Sequence, residues 1–252
     1  MDYNFNFNNK VVIVTGAAMG IGKGIAESFA QFGAKVVVAD INAEAGGQTA
    51  KEINDAGGAA VFYQIDVGSG EQINALVADV IAKFGRIDIL VNNAGVNKRV
   101  PITEMEESDF RRVINLNLIG QWLGCKAVVP HMIKQKGGKI INMASNAAYK
   151  FIPEMTAYSA SKCGVVGLTK VLAVELAQYN IQVNGVAPGY TETPLTKPVM
   201  ARKELYEQLV QMIPQHRFAQ VEEVVSSVLF LASDMASFIT GSVINVDGGN
   251  SC

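Results

Sequence analysis

The order of apolar and polar positions along the chain predicts strands that alternate with helices. Short runs of β-branched residues, such as residues 10–16 (KVVIVTG), are each followed by a longer stretch with apolar residues at helical spacing. In the first such stretch Ile21, Ile25 and Phe29 fall on one side of a helix, so that side is expected to pack on a sheet. This order of elements is typical of parallel strands joined by helical crossovers.

The same pattern continues through the second half of the chain, with a long helix over about residues 157–179 and a final strand near the C-terminus. We count about seven strands, which predicts an α/β fold: a single-domain Rossmann fold with a doubly wound parallel sheet, covering residues 1–252. The least regular stretch, at about residues 190–217, combines prolines with long polar side chains. We predict that this stretch is a lid over a substrate site.

Composition narrows the functions that such a fold could have. The chain has 252 residues, of which 49% are hydrophobic, and its 21 basic and 23 acidic residues give a net charge of -2. Neither sign of charge forms a block, so no nucleic acid partner is expected. Cys125, Cys163 and Cys252 are far apart, and His131 and His216 have no cluster of other ligands nearby. Neither a disulfide framework nor a metal site is predicted.

The start of the chain, MDYNFNFNNK, has neither the basic region nor the apolar region of a secretion signal. No apolar run approaches the roughly 18 residues that suggest a membrane-spanning helix. We therefore expect a cytoplasmic protein in a reducing compartment, with no membrane partner.

A glycine-rich turn joins the first strand to the first helix. Gly16, Gly20 and Gly22 stand where a backbone must approach a pyrophosphate at a helix N-terminus. Met19 and Ile21 belong to the same turn and are predicted to contact the same ligand. The three residues between the first two glycines differ from the G-x-G-x-x-G fingerprint. Because glycine is also the ordinary residue of tight turns, the turn alone leaves both a nucleotide site and a plain turn open.

Asp40 ends the second predicted strand, 18 residues beyond Gly22. That separation is close to the one at which an acidic residue accepts hydrogen bonds from an adenosine ribose. The carboxylate would also repel a 2′-phosphate, and neither Met19 nor Ile41 supplies a cation to neutralise one. The sequence therefore predicts NAD rather than NADP, with a solvated aspartate at a strand end as the alternative.

Tyr158 and Lys162 are four residues apart at the start of the long predicted helix. This spacing places both side chains on one helix face, so the ammonium could lie close to the phenol. Such a pair could carry protons. The alternative is that the two residues merely share a helix surface, and only the surrounding motifs can decide between the two interpretations.

Six motifs occur in an order that resembles the short-chain dehydrogenase/reductase family over essentially the whole chain. They are TGAAMGIG (15–22), NNAG (92–95), Asn117 within NLNLIG, Ser145, YSASK (158–162) and PGYTET (188–193). The resemblance implies an enzyme that transfers a hydride between a nicotinamide cofactor and an alcohol or ketone, acting on CH–OH groups.

The resemblance also implies a role for each catalytic residue. Tyr158 is expected to act as general acid or base. A free phenol has a pKa of about 10, so the Lys162 ammonium and the cationic nicotinamide are expected to favour its ionised form. Lys162 would also hold the nicotinamide ribose. Ser145 would orient the substrate oxygen, and Asn117, rather than Asn115, would anchor a water-linked proton relay. Structural roles for Ser145 and Asn117 are the alternatives.

Further cofactor contacts follow from the same resemblance. Asp66 and Val67 should border the adenine, Asn93 should face the ribose, and Thr191 should reach the nicotinamide amide, whereas Asn92 should tie strands together. The implied contacts beyond the glycine turn and Asp40 are Asp66, Val67, Asn93, Gly95, Tyr158, Lys162, Pro188, Gly189 and Thr191. By analogy with the family we also expect a homotetramer.

Lys98 and Arg99 directly follow NNAG, on the carboxyl side of the sheet where ligands bind. Two cations at that rim could receive an anion, and solvated surface charge is the alternative. This loop, together with residues 180–197, resembles the gluconate 5-dehydrogenases and related sugar-acid or polyol dehydrogenases. We therefore expect a small-molecule substrate of that class.

Two other functions stay open. One is a 3-oxoacyl-(acyl carrier protein) reductase, although those enzymes commonly use NADPH and Asp40 argues against that cofactor. The other is a sensor that binds NAD without turnover, and the intact set of Ser145, Tyr158 and Lys162 argues against it.

Overall fold

A computed structural model describes residues 5–252, which contain seven parallel strands in one sheet. The strands are β1 Val11–Thr15, β2 Lys35–Asp40, β3 Ala59–Gln64, β4 Ile89–Asn92, β5 Gly138–Met143, β6 Ile181–Pro188 and β7 Val243–Val246. They lie in the order β3-β2-β1-β4-β5-β6-β7, and each neighbouring pair is parallel. The prediction of an α/β fold with a doubly wound sheet of about seven strands is confirmed.

Helices connect successive strands. Those within the described residues are α1 Gly20–Gln31, α2 Ala43–Asp55, α3 Gly70–Phe84, α4 Glu107–Ile114, α5 Gly120–Lys134, α6 Thr156–Leu176, α7 Lys197–Met200, α8 Lys203–Gln211 and α9 Val221–Ala232. Polar side chains start two of them: Asn42 caps α2 and Ser69 caps α3, each accepting from a backbone N–H three residues on. None of the helices in residues 5–252 is both long and apolar enough to span a membrane.

Both faces of the sheet are buried, because successive strand residues point to opposite sides. In β1, Val12 and Val14 pack in one core with residues of α1 and α9, among them Phe29. Val11 and Ile13 pack in a second core with residues of α3, α5 and α6. Since helices cover both faces of the sheet, a ligand can approach it at the loops that follow the strands.

The strand order reverses direction between β1 and β4. The helix that follows β1 packs on one face of the sheet, and the helices that follow β4 pack on the other. The loops after these two strands therefore separate, and they open a crevice at the carboxyl ends of the strands.

The long helix predicted over about residues 157–179 is α6, followed by one turn of 3₁₀ helix at Ala177–Tyr179. Asn180 ends this turn in a left-handed conformation with φ 57°. The prediction and the structure therefore differ only in where regular α-helix gives way to the tighter turn.

The segment predicted as a lid, at about residues 190–217, contains α7 and α8. It has a small apolar cluster of its own around Leu209, Ile213 and Phe218. The ring of Phe218 stacks on Tyr190 with centroids 5.1 Å apart. A segment with its own core is suited to move as a unit. Its role as a lid stays a prediction.

Candidate active site

A cleft of about 660 Å³ runs along the carboxyl ends of the strands. Its walls include every residue predicted to bind the cofactor: Gly16, Met19, Gly20, Ile21, Gly22, Asp40, Asp66, Val67, Asn93, Gly95, Tyr158, Lys162, Pro188, Gly189 and Thr191. Ser145 also lines the cleft. The fold thus brings together, in one groove, residues from seven separate parts of the sequence.

The glycine turn is closed so tightly that side chains do not fit. Gly16 has φ 64°, and a Cβ there would lie 2.7 Å from Ala94 Cα. A Cβ on Gly22 would lie 2.0 Å from the Gly16 carbonyl oxygen. The glycines therefore allow the turn after β1 to pack on the loop after β4 and to present its backbone at the start of α1.

Asn93 braces this turn from the loop after β4. Its Nδ2 donates to the carbonyl oxygens of Thr15 and Gly16, each over 3.0 Å. Asn93 thus supports the turn as well as lining the cleft, where it is predicted to face the ribose. Asn92 ties strands together as predicted, because its Nδ2 donates to Asn142 Oδ1 over 2.9 Å.

Asp40 links the end of β2 to the glycine turn. Its Oδ2 accepts the Ala18 N–H over 3.0 Å and its Oδ1 accepts the Asn42 N–H over 2.9 Å. Each carboxylate oxygen keeps a lone pair for a further donor, such as a ribose hydroxyl. Met19 and Ile41 flank this position in the cleft, and their side chains are 50% and 64% exposed.

These features fit a nicotinamide dinucleotide. A glycine cradle at a helix N-terminus suits a pyrophosphate, Asp40 suits a ribose, and the Asp66–Val67 segment borders the same groove. Thr191 also lines the groove and is 3% exposed. When bound, such a group supplies the carbon that gives or accepts a hydride.

Helix α6 carries Tyr158 and Lys162 into the cleft. Lys162 is 4% exposed, and its Nζ donates to the Met143 carbonyl oxygen over 2.7 Å. Its Nζ lies 5.6 Å from the centroid of the Tyr158 ring. Burial lowers the pKa of Lys162 to about 8. The predicted pairing of ammonium and phenol on one helix face is therefore present.

The pKa of Tyr158 is raised in the protein alone. Burial is the main cause, and a hydrogen bond with Ser145 acts in the opposite direction. We expected Lys162 to favour the ionised phenol, but in the protein alone burial keeps the pKa of Tyr158 above its ordinary value. A bound nicotinamide cation adds positive charge to the same groove and would favour the ionised form.

Ser145 lies just beyond the end of β5 and is 7% exposed. Its Oγ accepts the Ala147 N–H over 3.1 Å, which begins a single turn of 3₁₀ helix. Because Ser145 lies close enough to Tyr158 to lower the pKa of its phenol, a substrate oxygen between the two groups could accept a hydrogen bond from each of them.

Asn117 is fully buried in a π-helical segment, Asn115–Ile119, between α4 and α5. Its amide exchanges two hydrogen bonds with the backbone of Val96, over 2.8 and 2.9 Å, and its Nδ2 also donates to Ser161 Oγ over 3.1 Å. The side chain thus joins the loop after β4 to α6. A Cβ on Gly95 would lie 3.1 Å from Asn117 Oδ1 and 3.7 Å from Lys162 Nζ, which places Asn117 just behind the lysine. Its role in a proton relay stays a prediction.

Lys98 and Arg99 lie outside the walls of the cleft as the described residues form it. Lys98 Nζ pairs with Asp109 over 2.9 Å, and Arg99 Nε pairs with Glu154 over 3.0 Å. Arg99 is still close enough for its charge to lower the pKa of Tyr190 against the larger effect of burial. The anion site at these two residues stays a prediction, and both cations already have carboxylate partners.

Several wall residues have no signal in the sequence. Asn97, Ile152, Met155, Tyr190 and Leu195 also line the cleft. They lie in loops with no periodic pattern, so their positions depend on how the loops fold over the sheet. Only Tyr190 was accessible to sequence reasoning, because it directly follows the Pro188–Gly189 turn.

Comparisons with known proteins agree with this geometry. A family model described as enoyl-(acyl carrier protein) reductase, of the short-chain dehydrogenase/reductase type, matches residues 16–251. The 3-oxoacyl-[acyl-carrier-protein] reductase of Thermotoga maritima is 45% identical over 240 residues, which cover 95% of this chain and 97% of that protein. The D-threitol dehydrogenase of Mycolicibacterium smegmatis is 39% identical and covers 99% of this chain and 95% of its own.

Among solved structures, a gluconate 5-dehydrogenase from Burkholderia cenocepacia in complex with NADP and tartrate superposes with a TM-score of 0.94. It is 36% identical, and the match covers 98% of this chain and 97% of that one. Relatives that match this chain over nearly its whole length thus carry names for three different substrates.

Proposed function

The chain belongs to the short-chain dehydrogenase/reductase family and acts on CH–OH groups, and from that premise we propose an NAD-dependent oxidoreductase that transfers hydride between nicotinamide and a secondary alcohol or ketone of a polyol or sugar acid. One observation carries the proposal: Tyr158, Lys162 and Ser145 meet at one end of a groove whose other end suits a dinucleotide. A phenol and a hydroxyl at that place can hold an alcohol oxygen and move its proton.

Asp40 supports NAD over NADP. Its carboxylate lies where an adenosine ribose would be held, and its neighbours Met19 and Ile41 are uncharged. Among the wall residues in the described chain, the cations are Arg112, on α4, and Lys162, at the catalytic end. A 2′-phosphate near Asp40 would therefore meet a negative charge without a neighbouring cation.

The substrate end of the cleft favours a neutral molecule within the proposed class. Its additional walls are formed by Asn97, Ile152, Met155, Tyr190 and Leu195, which carry no charge. Amide and phenol groups can bond to hydroxyls, and the apolar side chains can cover a carbon chain. A polyol is therefore better matched than a sugar acid, unless Lys98 or Arg99 exchanges its carboxylate partner for the acid.

A homotetramer is also proposed. Helices α5 and α6 expose large apolar side chains, with Trp122 43%, Val171 64% and Val174 82% exposed. Phe238 is fully exposed just before β7, the edge strand of the sheet. Exposed apolar side chains of this kind suit self-complementary interfaces between copies of the chain. Light scattering on the purified protein measures the assembly directly.

We place the enzyme in the cytoplasm. Cys125, Cys163 and Cys252 are unpaired among the described residues. Free thiols of this kind suit a reducing compartment.

The second candidate is a 3-oxoacyl-(acyl carrier protein) reductase, which the 45% identity to the Thermotoga protein favours. Such an enzyme would act on a substrate presented by an acidic carrier protein, so its activity would depend on basic residues at the rim and would fall with salt. An NAD-binding sensor without turnover would neither oxidise an alcohol nor reduce an acyl thioester.

One experiment separates these functions. Purified protein is mixed with NAD or NADP and gluconate, pentitols, hexitols or butanediols, and separately with NADH or NADPH and a 3-oxoacyl thioester, and the ultraviolet absorbance of the reduced nicotinamide is followed. We expect NAD-dependent oxidation of a polyol or sugar acid. Preferential reduction of the thioester would support the carrier-protein substrate, and cofactor binding without turnover of any compound would support the sensor.

A further inference from the structure

Asn146, which directly follows Ser145, lines the cleft but has no part in the predicted site. It lies in a 3₁₀ turn, Asn146–Ala148, and is 7% exposed. Its Oδ1 accepts a hydrogen bond from Ser145 Oγ over 3.4 Å. Its Nδ2 is buried and has no hydrogen-bond partner among residues 5–252. A buried amide with one end on the catalytic serine and the other unpaired calls for an explanation.

Asp247, in the turn after β7, carries a matching unpaired acceptor. It is 8% exposed, and its Oδ1 accepts the Gly249 N–H over 3.1 Å. Its Oδ2 is buried and lacks a partner within the described chain. Gly189 lies against both groups, since a Cβ built there would be 2.8 Å from Asp247 Cβ and 3.4 Å from Asn146 Nδ2. The unpaired donor and the unpaired acceptor therefore border the same glycine.

The nearby carboxylate favours one orientation of the Asn146 amide. If the amide were turned over, its oxygen would lie toward Asp247 and two acceptors would repel each other in a buried site. With its N–H groups toward Asp247, one bridging water would give both unpaired atoms a partner. The amide oxygen is then left for Ser145.

We propose that Asn146, oriented by Asp247, is a positioning residue that turns the Ser145 hydroxyl proton away from Tyr158 until a substrate oxygen takes it. Ser145 Oγ already accepts a backbone N–H, and a hydroxyl has only one proton to donate. That proton can go to Asn146, to the Tyr158 oxygen or to the substrate. Asn146 therefore stabilises the arrangement in which Tyr158 keeps its own proton. This role rests on the proposed acid–base chemistry of Tyr158.

A pH dependence follows from this competition. The Ser145 hydrogen bond lowers the pKa of Tyr158, against the larger effect of burial. If Asn146 no longer accepts the serine proton, Ser145 is free to donate to the ionised phenol, so the pKa of Tyr158 falls. The charged groups around this site are Lys150, Lys162 and Asp247, together with Asp40, Asp66 and Arg112 along the cleft. Lys150 Nζ donates to Asn250 Oδ1. None of these charges is altered when a neutral amide is replaced.

The test is the titration of Tyr158 in Asn146→Leu, which keeps the size of the side chain. Tyrosinate absorbance is measured against pH, and each variant is compared with the same variant carrying Tyr158→Phe. We expect the pKa of Tyr158 to fall by about half a unit, because a neutral hydrogen bond as long as 3.4 Å competes only weakly for the serine proton. The alkaline rise of kcat for alcohol oxidation should move by the same amount toward lower pH.

Asn250→Leu is the matched control. Asn250 belongs to the same buried group and its Nδ2 is also unpaired among residues 5–252, but its Oδ1 binds Lys150 rather than Ser145. We expect it to leave the Tyr158 titration unmoved. In the Ser145→Ala background, Asn146→Leu should likewise have no effect, because the serine that transmits it is gone.

Asn146→Ala provides a second, smaller variant should Asn146→Leu fail to fold. It also removes the acceptor for the Ser145 proton without adding a charge, so the pKa of Tyr158 should fall in the same direction. An unmoved titration in Asn146→Leu, or a shift that persists in the Ser145→Ala background, would overturn the proposal. If the titration shifts as expected but no alcohol is oxidised, the positioning role stands and the proposed function fails.

Discussion

The two ends of the cleft are built from different parts of the chain. At the cofactor end the backbone of the glycine turn is closely packed, and a single methyl group on Gly22 would lie 2.0 Å from a carbonyl oxygen. At the substrate end the walls are side chains in loops, and Leu195 is 78% exposed with Phe151, beside the wall residue Ile152, 72% exposed.

This difference explains why the sequence indicates the cofactor more clearly than the substrate. Backbone atoms held by a sheet and a helix cannot move aside, so the cofactor end accepts one ligand shape. Exposed side chains can rotate, and a few of them determine which alcohol is held. Relatives named for an acyl-carrier substrate and for threitol therefore match this chain over almost their full length.

The largest effect is expected at Tyr158, where the cofactor end and the substrate end of the cleft meet. Tyr158→Phe should lower kcat by roughly 10²–10⁴-fold or more, since it removes the group that transfers the proton. NAD affinity should be nearly unchanged, because the hydroxyl serves the substrate. Stopped-flow turnover and cofactor fluorescence measure the two quantities separately.

Lys162→Ala serves as the comparison for that variant. Lysine is assigned both the nicotinamide ribose and the neighbourhood of the phenol, so turnover and NAD affinity should both fall. A loss of rate with unchanged NAD affinity would show that the ribose contact is misplaced.

The next effect tests how rigid the cofactor end is. Gly22→Ala should weaken NAD binding by about a hundredfold, because an overlap worth ~3 kcal/mol has to be relieved by moving the turn. Gly47→Ala is the control, since a Cβ on Gly47, in α2, would meet nothing within 4 Å. Calorimetric titration with NAD, together with urea unfolding, distinguishes lost binding from lost folding. Equal affinities in the two variants would mean that the turn is softer than its contacts suggest.

Asp40 sets the next prediction, a change of cofactor without a change of substrate. The unmodified enzyme should prefer NAD over NADP by roughly one to three orders of magnitude in kcat/KM, because an unpaired charge repulsion is worth on the order of a few kcal/mol. Asp40→Ala combined with Ile41→Arg should move the preference toward NADP. Steady-state kinetics with both cofactors measure the ratio, and equal use of both by the unmodified enzyme would contradict the assignment.

The smallest effect is expected at the rim of the substrate end. Replacing Lys98 and Arg99 together by Ala should leave the KM for a neutral polyol unchanged, because both cations are paired outside the cleft wall. If a sugar acid is the substrate and one cation binds it, its KM should rise by about tenfold. The double change of Lys51 and Arg111 to Ala is the control, since both are exposed cations in helical ion pairs. A rise in KM for acids alone would support an anion site at Lys98 and Arg99.

The sequence by itself determined the sheet, the glycine turn, Asp40 and the Tyr158–Lys162 pair. These follow from local rules: period-two and helical spacing specify the elements, and Gly22 and Asp40 sit at fixed distances from the ends of strands. Strands buried on both faces leave one way to place the loops that join them. The sequence is therefore enough to indicate the glycine turn, Asp40 and the Tyr158–Lys162 pair that line the cleft.

Only the tertiary structure decided the partners of Lys98 and Arg99, the raised pKa of Tyr158, and the place of Asn146 between Ser145 and Asp247. Each depends on groups far apart in the sequence that meet through packing. Desolvation and ion pairing act over a few ångström in space, and no spacing along the chain encodes that distance. The motif therefore indicates which residues transfer the proton. The pKa of Tyr158 and the choice of substrate depend on which loops close over the site.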